Sequence, residues 1–353
     1  MNRAAIVTLT PLSGLYGVAM KMRRALFRRG LFRVHKVGAP VISVGNITTG
    51  GTGKTPLVEW IARALARQQK RVCILTRGYG RQHPGIRVVV SNGSEIFSDA
   101  REAGDEPLLL AEKLKGEAAV MCDADRVAAA RWAIENLGTE LIILDDGFQH
   151  MRLARDLNIV AIDATNPWGN RRLLPAGNLR ESPDQLARAD CIVITRADDV
   201  AQTEALKSAV HQLSEGRPMF LSRMRIDGLR KLSELRDGPA GEDPRSVPVA
   251  AFCGVGNPES FFAQLRHEGY KLCYTRVFPD HHYYTQEEIN ALISQSSERG
   301  AHALLTTAKD EVKLRSLSCE MPCYVVDVAI EIEDESKLLA SIDEALGMSA
   351  RPS

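Results

Sequence analysis

Apolar stretches and helical patterns alternate along the first half of this 353-residue chain, which predicts an α/β fold with a mainly parallel sheet and helices on both faces. The apolar stretches are continuous, as in strands that are buried on both faces of a sheet. They cover Val41–Val44, Val72–Leu75, Ala118–Met121, Leu141–Leu144, Ile159–Ile162 and Ile192–Ile194. The helical patterns between them cover residues 55–68, 105–115 and 124–137.

A second alternation predicts a smaller α/β domain over residues 248–353. Its predicted strands cover residues 248–253, 271–278, 303–307 and 323–330, and its predicted helices cover 257–267, 285–296 and 335–346. Residues 226–247 are rich in Asp, Gly, Pro, Arg and Glu and have no apolar period, which is typical of a connecting segment. We therefore predict a larger domain over residues 37–225, a connection, and a smaller domain that closes over the active site.

Bulk composition is that of a globular protein, with 44% hydrophobic and 25% charged residues. A formal net charge of +1 argues against a nucleic-acid-binding protein, and no obligate protein partner is evident. The seven cysteines have no zinc-ligand spacing, which indicates free thiols in a reducing compartment.

The first 36 residues contain a basic cluster, and no acidic residue occurs before Glu59. On a helix, an apolar face with Leu15, Val18, Ala19, Met22 and Leu26 lies opposite Lys21, Arg24 and Arg28. Charges interrupt the apolar residues too often for a membrane span. We predict that residues 1–36 form a basic amphipathic helix that contacts an anionic membrane surface. The alternative is a helix that packs on its own domain and leaves its basic side in solvent.

A glycine-rich segment lies between the first predicted strand and the first predicted helix. It consists of Thr48, Thr49, Gly50, Gly51, Thr52, Gly53, Lys54 and Thr55. In this setting backbone N–H groups close on phosphate oxygens and the helix N-terminus adds positive charge, which predicts a nucleotide-binding P-loop fold. Lys54 would reach the β- and γ-phosphates and the Thr55 hydroxyl would coordinate Mg²⁺. Thr48 stands where the strict P-loop pattern has glycine, so the loop is a variant.

The predicted strand Leu141–Leu144 ends in Asp145 and Asp146. An acid at the carboxyl end of a parallel strand is typical of a Walker-B element, which holds Mg²⁺ or its water shell. Adjacent strand residues point to opposite sides, so one aspartate would face the phosphates and the other a neighbouring loop. Gln149 and His150, which follow, are candidates to orient water or a substrate hydroxyl. The alternative is a strand that ends in an ordinary polar turn.

Two segments contain titratable groups that are suited to proton transfer. Asp105 and Glu106 open a predicted helix, where acids also serve as caps, but a phosphotransferase needs a base near the acceptor hydroxyl. Asp280, His281 and His282 lie between a strand and a helix of the second predicted domain. Because adjacent side chains point apart, a role as base, base-orienting group or substrate contact is favoured over zinc binding. A surface loop is the alternative.

Cationic side chains near glycines or strand ends are candidates for phosphate or transition-state contacts, because arginine binds phosphate through two parallel hydrogen bonds. The arginine candidates are Arg77, Arg81 and Arg180, with surface ion pairs as the alternative. A further group, which follows the strand 303–307, consists of Lys309, Asp310 and Lys313. This group would bind nucleotide or substrate, with capping of a helix by Asp310 as the alternative.

Six motifs in this order resemble the tetraacyldisaccharide 4'-kinase family of the lipid A pathway in Gram-negative bacteria. The resemblance covers about residues 10–315. It lies in Gly45-Asn46 with Gly50–Pro56, Arg77–Arg81, Gly104–Pro107, Asp145–His150, Phe278–His282 and Lys309-Asp310.

The resemblance implies transfer of the ATP γ-phosphate, with Mg²⁺, to the 4'-hydroxyl of a tetraacylated glucosamine disaccharide 1-phosphate, which gives lipid IV-A. It implies a lipid disaccharide substrate and a peripheral location on the cytoplasmic face of the inner membrane. It also implies that Asp105 is the general base, paired with a histidine for which we favour His281 over His282. From the P-loop itself we expect Lys54 to neutralise charge on the transferred phosphoryl group.

A membrane-associated NTPase switch of the partition type is the alternative from another class. Such proteins share the Gly-Gly-x-Gly-Lys-Thr loop, but they typically carry a second lysine where this chain has Thr49. They also need no base for an acceptor hydroxyl, so the candidate base favours the kinase.

Overall fold

The computed structural model describes residues 3–198, 200–232 and 243–347, and within these residues twelve strands form one sheet. Their order across the sheet is β10-β9-β11-β12-β8-β7-β6-β1-β5-β2-β4-β3. The strands are β1 Val41–Gly45, β2 Val72–Thr76, β3 Val88–Ser91, β4 Ala118–Cys122, β5 Leu141–Asp145, β6 Leu157–Asp163, β7 Cys191–Thr195, β8 Met219–Lys231, β9 Pro248–Cys253, β10 Lys271–Val277, β11 Ala303–Thr307 and β12 Cys323–Ile332. The predicted α/β class with a mainly parallel sheet is confirmed.

Five of the ten described α-helices begin after a side chain that accepts a hydrogen bond from a first-turn N–H group. Asp125 accepts hydrogen bonds from two amides of the first turn of α5, and Thr285 forms a capping box with Glu288 at the start of α8. The helices are α1 Arg3–Arg28, α2 Lys54–Arg67, α3 Ala100–Ala103, α4 Asp105–Lys113, α5 Arg126–Leu137, α6 Val200–Leu213, α7 Pro258–His267, α8 Gln286–Ser297, α9 Ala308–Leu314 and α10 Glu335–Ala345, with a 3₁₀ turn at Pro183–Arg188.

The strand that precedes the glycine-rich loop occupies the centre of a parallel block. β1 pairs in parallel with β5 on one side and β6 on the other, and every residue of β1, β2 and β5 is buried. Burial on both faces accounts for their continuous apolar sequences. Because β1 and β5 are neighbours, the loop at Gly50–Thr55 and the acids that end β5 lie at the same edge of the sheet.

Residues 226–231 form part of β8, so the prediction of a connecting segment is wrong for this stretch. β8 pairs antiparallel with β12 and thereby joins the two parallel blocks into one sheet. Its outward side chains Arg223, Arg225 and Asp227 are exposed and alternate with less exposed ones, so the strand lacks a continuous apolar stretch. Residues 233–242 of the predicted connection lie outside the described residues.

The last helix, α10, packs against α2, far back along the chain, where Gln68 at the C-terminal end of α2 donates to Asp343. Leu338 and Ile342 of α10 belong to the same apolar cluster as Leu57 and Ile61 of α2. The division of the chain into domains at residues 37–225 and 248–353 stays a prediction, and α10 lies against the first of these segments.

Helix α1 contacts the rest of the protein through its small and polar residues. The Ser13 hydroxyl donates to the Leu173 carbonyl at 2.9 Å, and the Tyr16 hydroxyl donates to the Arg180 carbonyl at 2.9 Å. Gly17 allows close approach, since an added Cβ would lie 2.9 Å from a methyl group of Leu173. The inner side of α1 is therefore polar and hydrogen-bonded.

The apolar side of α1 faces solvent. Leu15, Val18 and Met22 are 67%, 62% and 59% exposed. The alternative, a helix that packs on its own domain, holds for the hydrogen-bonded side of α1 but not for these apolar residues, and contact with a membrane stays a prediction. The basic side differs from the prediction at Arg24, which turns inward to pair with the buried Glu181 at 3.0 Å. Among the described residues, no helix is long and apolar enough to cross a membrane.

Candidate active site

The glycine-rich loop has a backbone conformation that requires glycine at two positions. Gly50 and Gly53 have φ angles of 109° and 76°, in the left-handed region that side chains disfavour. Gly53 immediately precedes α2, and no side chain caps the first turn of that helix. The N–H groups of this turn are therefore available to an anion, and the helix dipole adds to the attraction.

Two side chains at the end of β7 hold the carbonyl groups of the loop. The Thr195 hydroxyl donates to the Thr52 carbonyl at 2.9 Å, and Arg196 donates to the Gly51 carbonyl at 2.9 Å. Arg196 is itself held by the buried Asp163 at 2.6 Å. Sequence reasoning missed these residues, although their position after a parallel strand at the nucleotide edge was an available signal.

Thr48 and Thr49, which were predicted to contact nucleotide, join the loop to the segment before Arg180. The Thr49 amide donates to the Asn178 carbonyl at 2.7 Å, and Thr48 forms an antiparallel bridge with Leu179. Their direct contact with nucleotide stays a prediction.

Asp146 lies between two predicted phosphate-binding cations. Lys54 Nζ is 3.4 Å from one carboxylate oxygen, and Arg180 donates to the other. Burial raises the pKa of Asp146, but the charges of Lys54 and Arg180 outweigh it and bring the pKa to about 2. Asp146 is therefore ionised, and the structure brings Lys54, Arg180 and Asp146 together at one point.

Asp145 is buried at the end of β5 and has a different electrostatic environment. Burial raises its pKa to about 7, with added repulsion from Glu106 and Asp146. Such a concentration of negative charge fits a bound divalent cation, which would stabilise the ionised form. Carboxylate oxygens and a hydroxyl, such as that of Thr55, are ligands that Mg²⁺ prefers. The residues present therefore fit a magnesium site.

Asp105 and His281 contact each other although 176 positions separate them. Nδ1 of His281 lies 2.9 Å and 3.1 Å from the two carboxylate oxygens of Asp105, which is only 3% exposed. His281 has a φ of 60°, a strained value for this residue and one that occurs preferentially at functional sites. His282 lies elsewhere: its Nε2 is 2.9 Å from Glu288, and its ring stacks on Phe278.

The two members of this pair differ in basicity. The hydrogen bond to Asp105 raises the pKa of His281, and burial opposes this only in part. Burial also raises the pKa of Asp105, but the hydrogen bond from His281 and the charges of Lys309 and Lys313 hold that pKa well below its usual range. Asp105 is therefore a stable anion and a weak proton acceptor, and the imidazole is the stronger base.

Helix α9 contacts α4 through two lysines. Lys309 Nζ is 2.9 Å from Glu106 and 3.0 Å from Asp280, and Lys313 Nζ is 3.0 Å from Asp105. Glu106, a predicted substrate contact, is thus ion-paired in this structure.

Gly256 brings the loop of His281 to the phosphate-binding loop. An added Cβ at Gly256 would lie 3.0 Å from the Gly51 amide nitrogen and 3.2 Å from a carboxylate oxygen of Asp280. The Asp105–His281 pair therefore belongs to the same cleft as the P-loop.

Gln149 and His150 line the neighbouring loop. Gln149 donates to the Asn46 carbonyl at 2.9 Å and to Glu181 at 3.1 Å, so it orients the loop. Burial, together with the charge of Arg126 and other arginines, lowers the pKa of His150 to about 4. Its buried Nε2 has no hydrogen-bond partner among the described residues, which leaves it available to a ligand.

Arg81 makes structural contacts in its own loop, and its predicted contact with substrate or the transition state stays a prediction. Arg81 is 5% exposed, and its guanidinium donates to backbone carbonyls of Pro84, Ile86 and Cys122. Those donors shape the loop and are not free for phosphate. Arg77 is exposed beside Tyr79, with 3.4 Å between its guanidinium and the Tyr79 hydroxyl.

A base beside a phosphate-binding loop is what a kinase needs and a switch NTPase lacks. The fold and the site together place the chain among the P-loop kinases, enzymes that transfer a phosphoryl group to a hydroxyl acceptor.

Comparison with known proteins names the family. The family model described as tetraacyldisaccharide-1-P 4'-kinase matches residues 5–347. The tetraacyldisaccharide 4'-kinase of Geobacter metallireducens is 40% identical over 347 residues, which cover 98% of this chain and 100% of that protein. The protein of the same name from Desulfotalea psychrophila is 41% identical over 317 residues, 89% of each chain. This chain belongs to the tetraacyldisaccharide-1-phosphate 4'-kinase family.

A solved structure agrees with this assignment. LpxK from Aquifex aeolicus, determined in complex with ATP, is similar with a TM-score of 0.74 and 33% identity. The match covers 97% of this chain and 99% of that one. The chain is thus a lipid A pathway kinase that acts on a hydroxyl acceptor, and the partition-type alternative is not favoured.

Proposed function

We propose that this protein transfers the γ-phosphate of ATP to the 4'-hydroxyl of a tetraacyldisaccharide 1-phosphate, with the imidazole of His281 as the proton acceptor. The observation that carries the proposal is the hydrogen bond between Nδ1 of His281 and the buried Asp105. That bond fixes the ring and leaves Nε2 for the substrate.

The proton is accepted by His281 rather than by Asp105, to which the sequence analysis assigned it. Asp105 is ion-paired and has a lowered pKa, so it acts as the group that orients the imidazole and stabilises its charged form. In the transfer, the 4'-oxygen forms a bond to the γ-phosphorus, the bond from that phosphorus to the ADP oxygen breaks, and the hydroxyl proton moves to Nε2. Because such transition states are loose, positioning of the hydroxyl contributes more than early proton removal.

The donor side supplies charge neutralisation. The proposed phosphate-binding position in the loop is surrounded by Lys54, Arg180 and the first-turn N–H groups of α2. Thr55 and Asp145 would hold Mg²⁺, while Asp146 is already paired with Lys54 and Arg180. A bound Mg²⁺ neutralises charge on the β- and γ-phosphates.

Attachment to the cytoplasmic face of the inner membrane through α1 completes the proposal. The exposed strip of Leu15, Val18 and Met22 suits the acyl region of a bilayer, and a lipid substrate is presented there. On its other side α1 reaches the site, because the Tyr16 hydroxyl bonds the Arg180 carbonyl and Arg180 bonds Asp146. The membrane helix is therefore two contacts away from the phosphate site.

A labelling experiment tests the proposal. Protein is incubated with γ-labelled ATP, Mg²⁺ and the lipid disaccharide in mixed micelles, alongside an acceptor that lacks the 4'-hydroxyl. We expect label on the complete lipid only, and label on free phosphate alone would contradict the kinase. His281→Gln should reduce kcat by about 10²–10⁴-fold. The matched variant His282→Gln, which alters the neighbouring ring outside the site, should retain most of the activity.

A further inference from the structure

The charged side chain of Lys313 is buried. Its side chain is 1% exposed, and its Nζ lies 3.0 Å from Asp105 and 3.6 Å from Asp310, which is fully buried. The contact with Asp105 spans 208 positions of the chain. An ammonium group at this depth needs ionic partners, because burial of an unpaired charge is strongly unfavourable.

Asp310 connects this lysine to the loop of His281. Its carboxylate accepts hydrogen bonds from the Gly254 amide at 3.1 Å, the Tyr284 hydroxyl at 2.7 Å and the Thr307 hydroxyl at 2.7 Å. The carbonyl of Gly254 accepts in turn from the His281 amide at 3.3 Å. One buried carboxylate therefore fixes the backbone beside His281, while its ion-pair partner holds the side chain of Asp105.

We propose that Lys313 and Asp310 form a positioning pair that sets the geometry and charge of the Asp105–His281 pair. Lys313 holds the Asp105 carboxylate, and Asp310 holds Gly254, which bonds the amide of His281. This inference rests on the proposed function, in which His281 accepts the substrate proton.

A purely architectural role explains the pair poorly. Apolar residues of similar volume usually match or exceed the stability of a buried ion pair, because both charges lose their hydration. A methionine at position 313 would also fill the space between α9 and α4. A methionine carries no positive charge. The ammonium group of Lys313 lies 3.0 Å from Asp105 and helps to keep that carboxylate ionised and fixed in place.

The positive charge has a predictable effect on the base. Lys313 neutralises part of the Asp105 charge, so its removal strengthens the attraction between Asp105 and a protonated His281. The pKa of His281 then rises, and the acidic limb of kcat/KM moves to higher pH. The other charged or titratable groups that face the pair stay in place: Lys309 from α9, Glu106 from α4, and Asp280 and Tyr283 from the loop of His281.

The test compares Lys313→Met with Lys313→Arg. In Lys313→Met we expect kcat to fall by about 10²-fold, because small displacements of reacting groups have effects of this size. The KM for ATP should stay within about twofold and the acidic limb should move upward, since only the acceptor side changes. Lys313→Arg keeps the charge, so its acidic limb should stay in place and part of kcat should return. The matched control is Lys113→Met, which removes an ion pair with Glu59 away from the site and should leave kcat unchanged.

A second variant keeps the test decisive if Lys313→Met fails to fold, which thermal unfolding will show. Asp310→Asn leaves Lys313 bound to Asp105 alone, so the acidic limb should move to lower pH, opposite to Lys313→Met, with a loss of kcat. If the folded variants have a normal kcat and an unchanged acidic limb of kcat/KM, and His281→Gln is inactive, the positioning role of Lys313 and Asp310 is contradicted. Normal turnover in His281→Gln would instead overturn the proposed function itself.

Discussion

The donor and acceptor sides of this active site are built in different ways. The core of the donor side is continuous in sequence: β1, the loop Gly50–Thr55 and α2 follow one another, and much of the loop's binding capacity is backbone N–H groups. Asp145 and Arg180 join this core from other segments. The acceptor side is made of side chains that meet across 176 positions at His281 and 208 positions at Lys313. The phosphate-binding loop lies within one segment of the chain. The Asp105–His281 pair, in contrast, forms only when distant segments pack together.

This difference has a mechanistic consequence. The contacts that complete the acceptor side, from α9 and the His281 loop to α4, include ion pairs and hydrogen bonds between side chains, together with a small apolar cluster that includes Leu108 and Val312. Such contacts can separate without unfolding the loop that binds phosphate. We expect nucleotide binding to tolerate their loss and turnover to depend on them, since these contacts orient the proposed base.

Asp105→Asn is expected to show the largest difference between the two sides, with a loss at the acceptor side and little change at the donor side. Loss of the carboxylate leaves His281 poorly oriented, so kcat should fall by about 10²–10³-fold while ATP affinity changes little. The carboxylate raises the pKa of His281, so its removal lowers that pKa. In the proposed reaction the neutral imidazole is the active form, so the acidic limb of kcat/KM should then move to lower pH.

Rates measured from about pH 5 to pH 9 with saturating Mg²⁺ and ATP check this prediction around the ordinary histidine range. If Asp105 were itself the base, the limb would disappear with the carboxylate instead of moving. Asp99→Asn is a suitable control, because Asp99 is an exposed cap of α3 whose carboxylate accepts from the backbone amides of Arg101 and Glu102.

The difference between a continuous phosphate-binding loop and a base assembled from distant segments also explains what the sequence could predict. The loop Gly50–Thr55 and the acids that end β5 are local patterns, and the α/β class follows from strands that are apolar throughout. Which histidine faces Asp105 depends on the path of the loop after β10, where His281 adopts a left-handed φ that no local pattern specifies. The pairing of Lys313 with Asp105 depends on the docking of α9 against α4, which is a tertiary property.

Two differences between the sequence expectation and the structure have the same physical origin. Arg81 stands beside glycines, as a phosphate-binding arginine does, but its donors satisfy the carbonyls of its own loop. β8 was assigned partly to a connection, because the exposed Arg223 and Arg225 interrupt its apolar residues. In both cases the sequence gives the residue type, while burial and partners decide its role.

A smaller effect is expected at α1, the helix through which we propose that the protein binds the membrane. Leu15→Glu with Val18→Glu places charges on the exposed strip of α1, away from its hydrogen-bonded side, so the fold should be kept. Binding to vesicles of anionic phospholipid should fall at least about tenfold, since each apolar side chain buried in a bilayer contributes on the order of 1.5–3 kcal/mol.

Cosedimentation with vesicles measures this loss. The matched control is Ile86→Glu with Phe97→Glu, which changes two residues that are 60% and 54% exposed elsewhere on the surface. Equal loss in both double variants would show that general surface hydrophobicity, and not α1, determines binding.

The smallest effect on turnover is expected for Arg81→Met. The buried guanidinium satisfies three backbone carbonyls, so its loss should lower the free energy of unfolding by about 1–3 kcal/mol. The activity per folded molecule should fall by less than about tenfold, because Arg81 acts only through the loop whose Gly80 packs near His281. Denaturant unfolding and kcat measured on the same preparation separate the two quantities. A loss of kcat as large as that of Asp105→Asn, with unchanged stability, would return Arg81 to the transition-state role that its sequence context suggested.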